Sequence, residues 1–431
     1  MENPVTPVTP ETAPSPRAAE RPLLLLVGPG MRLFREYLFQ SIATGYRLHL
    51  LNTAVPSWEQ QYLNGHTVVP DMGAAALIAA AQKVAAEEPV AGVLSWDEAR
   101  IQVASQVAAA LGLPGGETGA VERCRDKFLT RGALAERGVA QPEFELVTDP
   151  DEALEAAERI GWPVVLKPRN AAAGYGVVLV QDAGELAAQF PFAHEATVPD
   201  APRYASTVLV EEYLDGPEIS VDAVVHQGEV TPMYLGRKQT GFAPYFEETG
   251  HILDSGDELL ADAELTVLLQ RTHEALGFRT GWTHTEVKLT PGGPKIIEVN
   301  GRLGGDLIPY LGVLAAGGDP GLAAAAVACG RAPAPATDRP LTSVAGIRFF
   351  YPEADGQVIE SASFDEAALD PAVHTAIVVA EPGAVVHLPP KGITSGRIAY
   401  AIALAEDVAG CRAGLESARA ALRVRTVDPE P

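Results

Sequence analysis

At 431 residues with a formal charge of −24 and 47% hydrophobic residues, the chain is long enough for roughly two to four domains and can bury a large core unaided. Such acidity argues against nucleic acid and anionic membrane surfaces as partners, and no apolar run approaches the ~20 residues that cross a bilayer. Three scattered cysteines, Cys124, Cys329 and Cys411, show neither metal spacing nor a paired framework, which points to a reducing interior with the cytoplasm as the expected location.

In chain order, residues 1–21 are rich in Pro, Thr and Ala without a basic start or an apolar stretch, and read as a disordered tail rather than a secretion signal. From Pro22 to about residue 120, short apolar runs (LLLLV, YRLHLLN, VAGVL) alternate with helical stretches, which predicts a parallel Rossmann-like layer. Its Gly28-Pro29-Gly30 turn lacks the full glycine fingerprint of a dinucleotide site, so an NAD-dependent oxidoreductase is set aside.

A second region, 121–335, opens with a helix over VERCRDKFLTRGALAERG, capped at Gly138. A smaller lobe, about 145–210, follows with a helix over Asp151–Ile160, the buried-looking strand WPVVLKP, the small-residue loop Ala171–Gly176 and the strand VVLV. Pro191–Ala205 reads as a loop, after which TVLVEEYLDGPEISVDAVV resumes strands around a Gly-Pro break. RAPAPATDRP reads as a linker, and 336–431 as a small C-terminal domain of strands with a final helix.

The segment THTEVKLTPGGPKIIEVNGR carries the sharpest signal. Alternation places Trp282, His284, Glu286 and Lys288 on one face of a strand, and Glu298, Asn300 and Arg302 on one face of the next. If Leu289 pairs with Lys295 across a five-residue loop, Glu286 falls opposite Glu298 and His284 opposite Asn300. Opposed carboxylates ask for a proton or a cation between them, and these hard oxygen donors suit Mg²⁺. The bland reading is a hairpin whose polar face meets water, but Ile296, Ile297 and Val299 suggest a central strand instead. Lys167 before a small-residue loop could meet phosphate, and the Glu211, Glu212, Leu214, Glu218 stretch could hold an adenosine; each alone is also an ordinary turn or a solvated acidic loop.

Taken in order, these pieces resemble the ATP-grasp superfamily, over roughly residues 22–427. The resemblance implies an α/β and α+β protein: a Rossmann-like pre-ATP-grasp domain, a two-lobed ATP-binding region and a small C-terminal α+β domain. It implies ATP contacts from Lys127, Lys167, Gly174, Gly176, Glu211, Glu212, Leu214 and Glu218. It also implies Mg²⁺, as two ions that Mn²⁺ can replace, on Glu286, Glu298 and Asn300. The strings PYFEETGH and HTEVK look like those of bacterial L-amino acid ligases of the bacilysin dipeptide synthetase type. In that group Glu248 and His251 would contact substrate, and Arg302 would act in catalysis while holding a carboxylate or acyl phosphate. The implied activity is ATP-dependent carboxylate–amine ligation through an acyl phosphate, releasing ADP and phosphate, in peptide natural-product pathways. A noncatalytic ATP-binding module, or a related enzyme with another carboxylate or acceptor, is the alternative. Small amino-acid or carboxylate substrates and a homodimer are the expected partners.

Overall fold

The computed structural model describes residues 20–171, 173–196, 207–334 and 342–427. The predicted tail and parts of the Pro191–Ala205 loop and the linker lie largely outside those residues, as does Ala172. Among the described residues, no single helix is long and apolar enough to cross a membrane.

The N-terminal layer contains β1 (Leu23–Val27), α1 (Arg32–Gly45), β2 (Arg47–Asn52), β3 (Gly65–Val68), α2 (Ala74–Glu87), β4 (Val90–Leu94) and α3 (Ile101–Ala110). Its strands pair in parallel in the order β3-β2-β1-β4. LLLLV is buried at every position, as expected where helices cover both faces of a parallel sheet.

The helix expected from Val121 to Gly138 is two helices, α4 (Thr118–Arg125) and α5 (Lys127–Glu136). Asp126 breaks it: the residue is extended, and its carboxylate accepts from the amides of Phe128 and Leu129. That N-cap starts a new helix at Lys127 and fixes where the lysine emerges. Gly138 sits just past the second helix at φ +58°, in the role expected of it.

The smaller lobe holds β5 (Phe144–Val147), α6 (Pro150–Ile160), β6 (Val164–Pro168), β7 (Val178–Val180), α7 (Ala183–Glu195) and β8 (Val208–Glu212), its sheet in the order β5-β8-β6-β7. Helix α7 runs on through Pro191 to Glu195, where sequence suggested a loop; Asp182 caps its start, and Leu186, Phe190 and Ala193 bury one face.

The main sheet draws on β9 (Glu218–His226), β10 (Glu229–Gly241), β11 (Glu247–Asp254), β12 (Gly281–Thr290) and β13 (Gly293–Asn300), backed by α8 (Ala263–Leu276), α9 (Ile308–Ala316) and α10 (Pro320–Ala328). The last region adds β14 (Val344–Phe350), β15 (Gln357–Phe364), β16 (Val373–Val378), β17 (Val385–Val386), β18 (Ala399–Ala405), α11 (Val408–Ala421) and β19 (Leu422–Val427). A strand, β19, therefore follows the expected final helix among the described residues. Three of these strands extend the main sheet, ordered β13-β12-β9-β10-β11-β14-β18-β16, while β17-β15-β19 form a small sheet.

Strand β13 is an edge, contrary to the expectation from its apolar residues. Its outer backbone is not left to water: Ile296 donates to the Ala140 carbonyl at 2.9 Å, and the Arg131 guanidinium meets the carbonyl of Ile297 at 2.7 Å. A covered edge tolerates the hydrophobicity of an interior strand.

Candidate active site

A cleft of about 850 Å³ opens between the smaller lobe and the main sheet, with walls from the N-terminal layer and the C-terminal region. Two β-bulges shape its floor. Between β12 and β13, Glu286 faces Glu298 and His284 faces Asn300, but Leu289 pairs with Pro294 rather than Lys295, and Thr290 with Gly293. The turn is two residues, Pro291-Gly292, instead of the expected five, which slips the register by one, and the bulge at Ile297 restores it beyond. The bulge also sends Ile296 into the core with Val299 while Glu298 and Asn300 face the cleft. The strand ends at Asn300; Arg302 reaches the cleft from the turn that follows, not from the same strand face.

The second bulge, at Thr249 between β10 and β11, brings Glu248 and His251 to one face although they are three residues apart. The His251 Nε2 lies 3.2 Å from Glu248 Oε2 and 3.4 Å from Asp306 Oδ2. Burial of this ring resists protonation, but the Asp306 and Glu248 carboxylates outweigh it and raise its pKa.

The cations on the lobe side are fixed by α5 and β6. Lys127 donates to the Ala171 carbonyl at 2.7 Å and meets Glu298 at 3.0 Å, tying the small-residue loop to one of the opposed carboxylates. Lys167 lies 2.7 Å from Glu211, which also receives Arg131 at 2.7 Å. Burial would push the Glu211 carboxyl up, but Arg131 and Lys167 prevail and hold it at about 2. Gly174 and Gly176 both have positive φ, and a Cβ on Gly176 would stand 2.4 Å from that of Ala196, so the loop closes back on α7 only with glycine there. Glu212 is paired with Lys295 at 3.0 Å, Leu214 is buried, and Glu218 faces Lys238 at 2.7 Å. All of the sequence-predicted site residues but Gly176 and His251 line the cleft; His251 lies 3.2 Å from Glu248, and Gly176, at the end of the loop, packs against Pro168 and Ala196.

Several residues in and behind the cleft were not foreseen. Lys238 bridges Glu218, Glu248 and Glu286. Glu98, from the N-terminal layer, meets Arg302 at 2.5 Å and Arg125 at 2.7 Å, and those guanidiniums overcome burial to hold its carboxyl at about 2. Arg397 makes a two-pronged pair with Asp306, at 2.7 and 2.9 Å, and stacks 3.7 Å from the Phe349 ring centroid. Asp222 receives Trp282, His284 and the Gly304 amide, and orients the His284 ring. A basic residue in RKQTG beside the PYFEETGH string, and the acid in SWDEAR, were the available signals, but nothing in either string says which face it joins.

Chemically, Glu286, Glu298 and Asn300 are an all-oxygen donor set of the kind that hard divalent cations take. Ammonium groups already sit on both carboxylates, Lys238 at 3.0 Å from Glu286 and Lys127 at 3.0 Å from Glu298, so the pair is built to face positive charge.

Comparison with known proteins follows the same division. Residues 160–309 match the family described as ATP-grasp domain. Residues 348–427 match the L-amino acid ligase C-terminal domain 2. The fold is similar to that of a crystal structure of an L-amino acid ligase from Bacillus licheniformis, with a TM-score of 0.77 at 21% identity over 95% of this chain and 99% of that one. Among curated relatives, dapdiamide A synthase of Enterobacter agglomerans is 33% identical over 43% of this chain and 44% of its own length. Alanine–anticapsin ligase of Bacillus subtilis strain 168 is 30% identical over 47% of this chain and 46% of its own. The chain thus spans somewhat under half the length of these two relatives.

Proposed function

We propose that this ATP-grasp chain is an ATP-dependent carboxylate–amine ligase that joins an L-amino acid to a second amino acid or amine and releases ADP and phosphate. The observation that carries the reading is the meeting in one cleft of Lys127 and Lys167, the opposed donors Glu286, Glu298 and Asn300, and Glu248 and Arg302, with His251 3.2 Å from Glu248. Relatives named for dapdiamide and alanine–anticapsin support amino-acid substrates and a natural-product setting.

In this reading Lys127, Lys167 and the Gly174–Gly176 backbone hold the phosphates, while Glu211 and Glu212 to Leu214 frame the nucleotide and Glu218 accepts from ribose. Glu286, Glu298 and Asn300 would hold Mg²⁺, as two ions that Mn²⁺ can replace, and the bound metal would supply neutralisation of phosphate charge. The substrate carboxylate takes the γ-phosphoryl group, breaking the bond to ADP and forming an acyl phosphate. The amine then attacks the acyl carbon, a C–N bond forms, the C–O bond to phosphate breaks, and the amine gives up a proton. Glu248, backed by His251, receives the substrate ammonium. Arg302, held in place by Glu98, binds the carboxylate and the oxyanion that follows. A cytoplasmic homodimer working on small molecules completes the proposal.

An ADP-release screen over pairs of amino acids and small carboxylic acids, with mass spectrometry of products, tests it. ADP and phosphate appearing only when both substrates are present is the expected result. AMP and pyrophosphate would sink it, and nucleotide binding without turnover on any pair would favour a noncatalytic module.

A further inference from the structure

Lys238 lies on β10, an interior strand, directly across from His251 on β11 and one pair beyond the Arg237–Ile219 pairing, which places it across from Glu218 on β9. Its ammonium stands 2.7 Å from Glu218, 2.8 Å from Glu248 and 3.0 Å from Glu286, with the side chain 4% exposed. One cation therefore serves three carboxylates. In the reading given above, those carboxylates belong to three different ligands: the ribose, the substrate ammonium and the divalent metal.

We propose that Lys238 is a displaceable internal counter-ion, which competes with cationic ligands for Glu286 and Glu248 and turns its charge to the transferring phosphoryl group once those ligands are in place. The argument is one of occupancy. Glu218 turned to ribose hydroxyls, Glu286 to a metal and Glu248 to a substrate ammonium each leave Lys238 one partner fewer. With all three engaged, an ammonium buried in the cleft floor has lost its compensating anions, and the approaching anionic phosphoryl group becomes its best partner. Before that point, the same ammonium shields three like charges that would otherwise repel one another. Lys288, 3.3 Å from the other oxygen of Glu218, keeps that acid compensated when Lys238 lets go.

This rests on the assignment of the cleft as a ligase site, and the test separates the two. A residue that merely fills space would weaken metal binding and turnover together when replaced, whereas a competing counter-ion moves them in opposite directions. Mn²⁺ alone, titrated by electron paramagnetic resonance, should bind Lys238→Met at least about fivefold more tightly than the wild type, while ADP release on a productive substrate pair falls at least about 100-fold. Lys238→Gln, which keeps a polar group in the gap, should repeat both changes and serves if the methionine variant does not fold. Lys238→Arg, which keeps the charge, should leave Mn²⁺ affinity within about twofold and retain a substantial part of turnover. Unchanged or weaker Mn²⁺ binding in both neutral variants, or undiminished turnover, overturns the proposal. If no pair yields ADP, the ligase reading fails, and the Mn²⁺ titration alone decides the counter-ion role.

Discussion

Two ion clusters face each other across the cleft, and their charge ratios are inverted. On the lobe side, two cations share one carboxylate: Arg131 and Lys167 both meet Glu211, which is 1% exposed. On the sheet side, one cation is shared by three carboxylates, Lys238 among Glu218, Glu248 and Glu286. The first is closed, because Glu211 has the partners it needs and Arg131 also satisfies carbonyls at the edge of β13. The second also draws on Lys288 at Glu218 and His251 at Glu248, but its three acids converge on one ammonium at the cleft. A closed buried cluster holds a fold in one geometry, while acids converging on one shared cation at a cleft prepare a site for cationic ligands.

The largest effects should separate these roles. Arg131→Met leaves a buried carboxylate with one partner, strips the β13 edge of its donor, and should cost about 3–5 kcal/mol in urea unfolding. Glu248→Gln, in the open cluster, should change stability by less than about 1 kcal/mol, since removing one of three crowded negative charges relieves the other two. Equal losses in the two variants would erase the contrast. Glu298→Gln should spare the fold as well but lower ligation about 100- to 1,000-fold, several kcal/mol of lost charge stabilisation in the transition state. Full activity would remove Glu298 from the proposed metal site.

How much of this was visible in the sequence follows from the same contrast. The order of the motifs carried the architecture, and parity within β12 put Glu286 opposite Glu298. That pairing was reached by assuming too long a turn, and the bulge at Ile297 cancelled the slip, because a bulge leaves no mark in a run such as KIIEVN. The Thr249 bulge was equally silent, so Glu248 and His251 could be united only by resemblance. Lys238, Glu98 and Arg397 were invisible as well. Glu98 lies 204 residues from Arg302 and Arg397 lies 91 from Asp306, and pairings of that kind are decided by how the layers stack; Lys238 is close in sequence to Glu248, but its face depends on the silent Thr249 bulge. The break at Asp126 was missed because its neighbours on both sides are good helix formers; only the capping geometry shows it.

Acid titration should sharpen the comparison further. Glu211 and Glu98 are both held at about 2 against an ordinary 4.5. For a depressed carboxyl the unfolded chain binds the proton first, so the stability each contributes is present above pH 4.5 and is lost as pH falls toward 2. Unfolding midpoints measured between pH 5 and 2.5 should decline steeply in the wild type and less steeply in Glu211→Gln. Parallel slopes would mean that the lobe cluster is not what holds the fold against acid.

The smallest effect concerns how the closed side places a cation for the open one. Asp126 caps α5 and also receives Arg169 at 2.6 Å, while the Lys127 amide donates to the Arg169 carbonyl at 3.0 Å. Lys127, the next residue, is thereby set between Ala171 and Glu298. Asparagine caps helices as well as aspartate, so Asp126→Asn keeps the Oδ1 cap on Phe128 and Leu129 but puts an amide N–H donor where Oδ2 accepts from Arg169, removing that pair. The Arg169 side chain is 20% exposed and Asp126 is fully buried, so losing the pair costs on the order of 1–3 kcal/mol. The variant should therefore raise the KM for ATP by about three- to fivefold with kcat nearly unchanged, since the loop that begins at Arg169 is loosened while the reacting groups stay in place. A fall in kcat at constant KM would mean instead that Asp126 acts on the transition state through Lys127, and that the two clusters are coupled more tightly than their separate charge ratios imply.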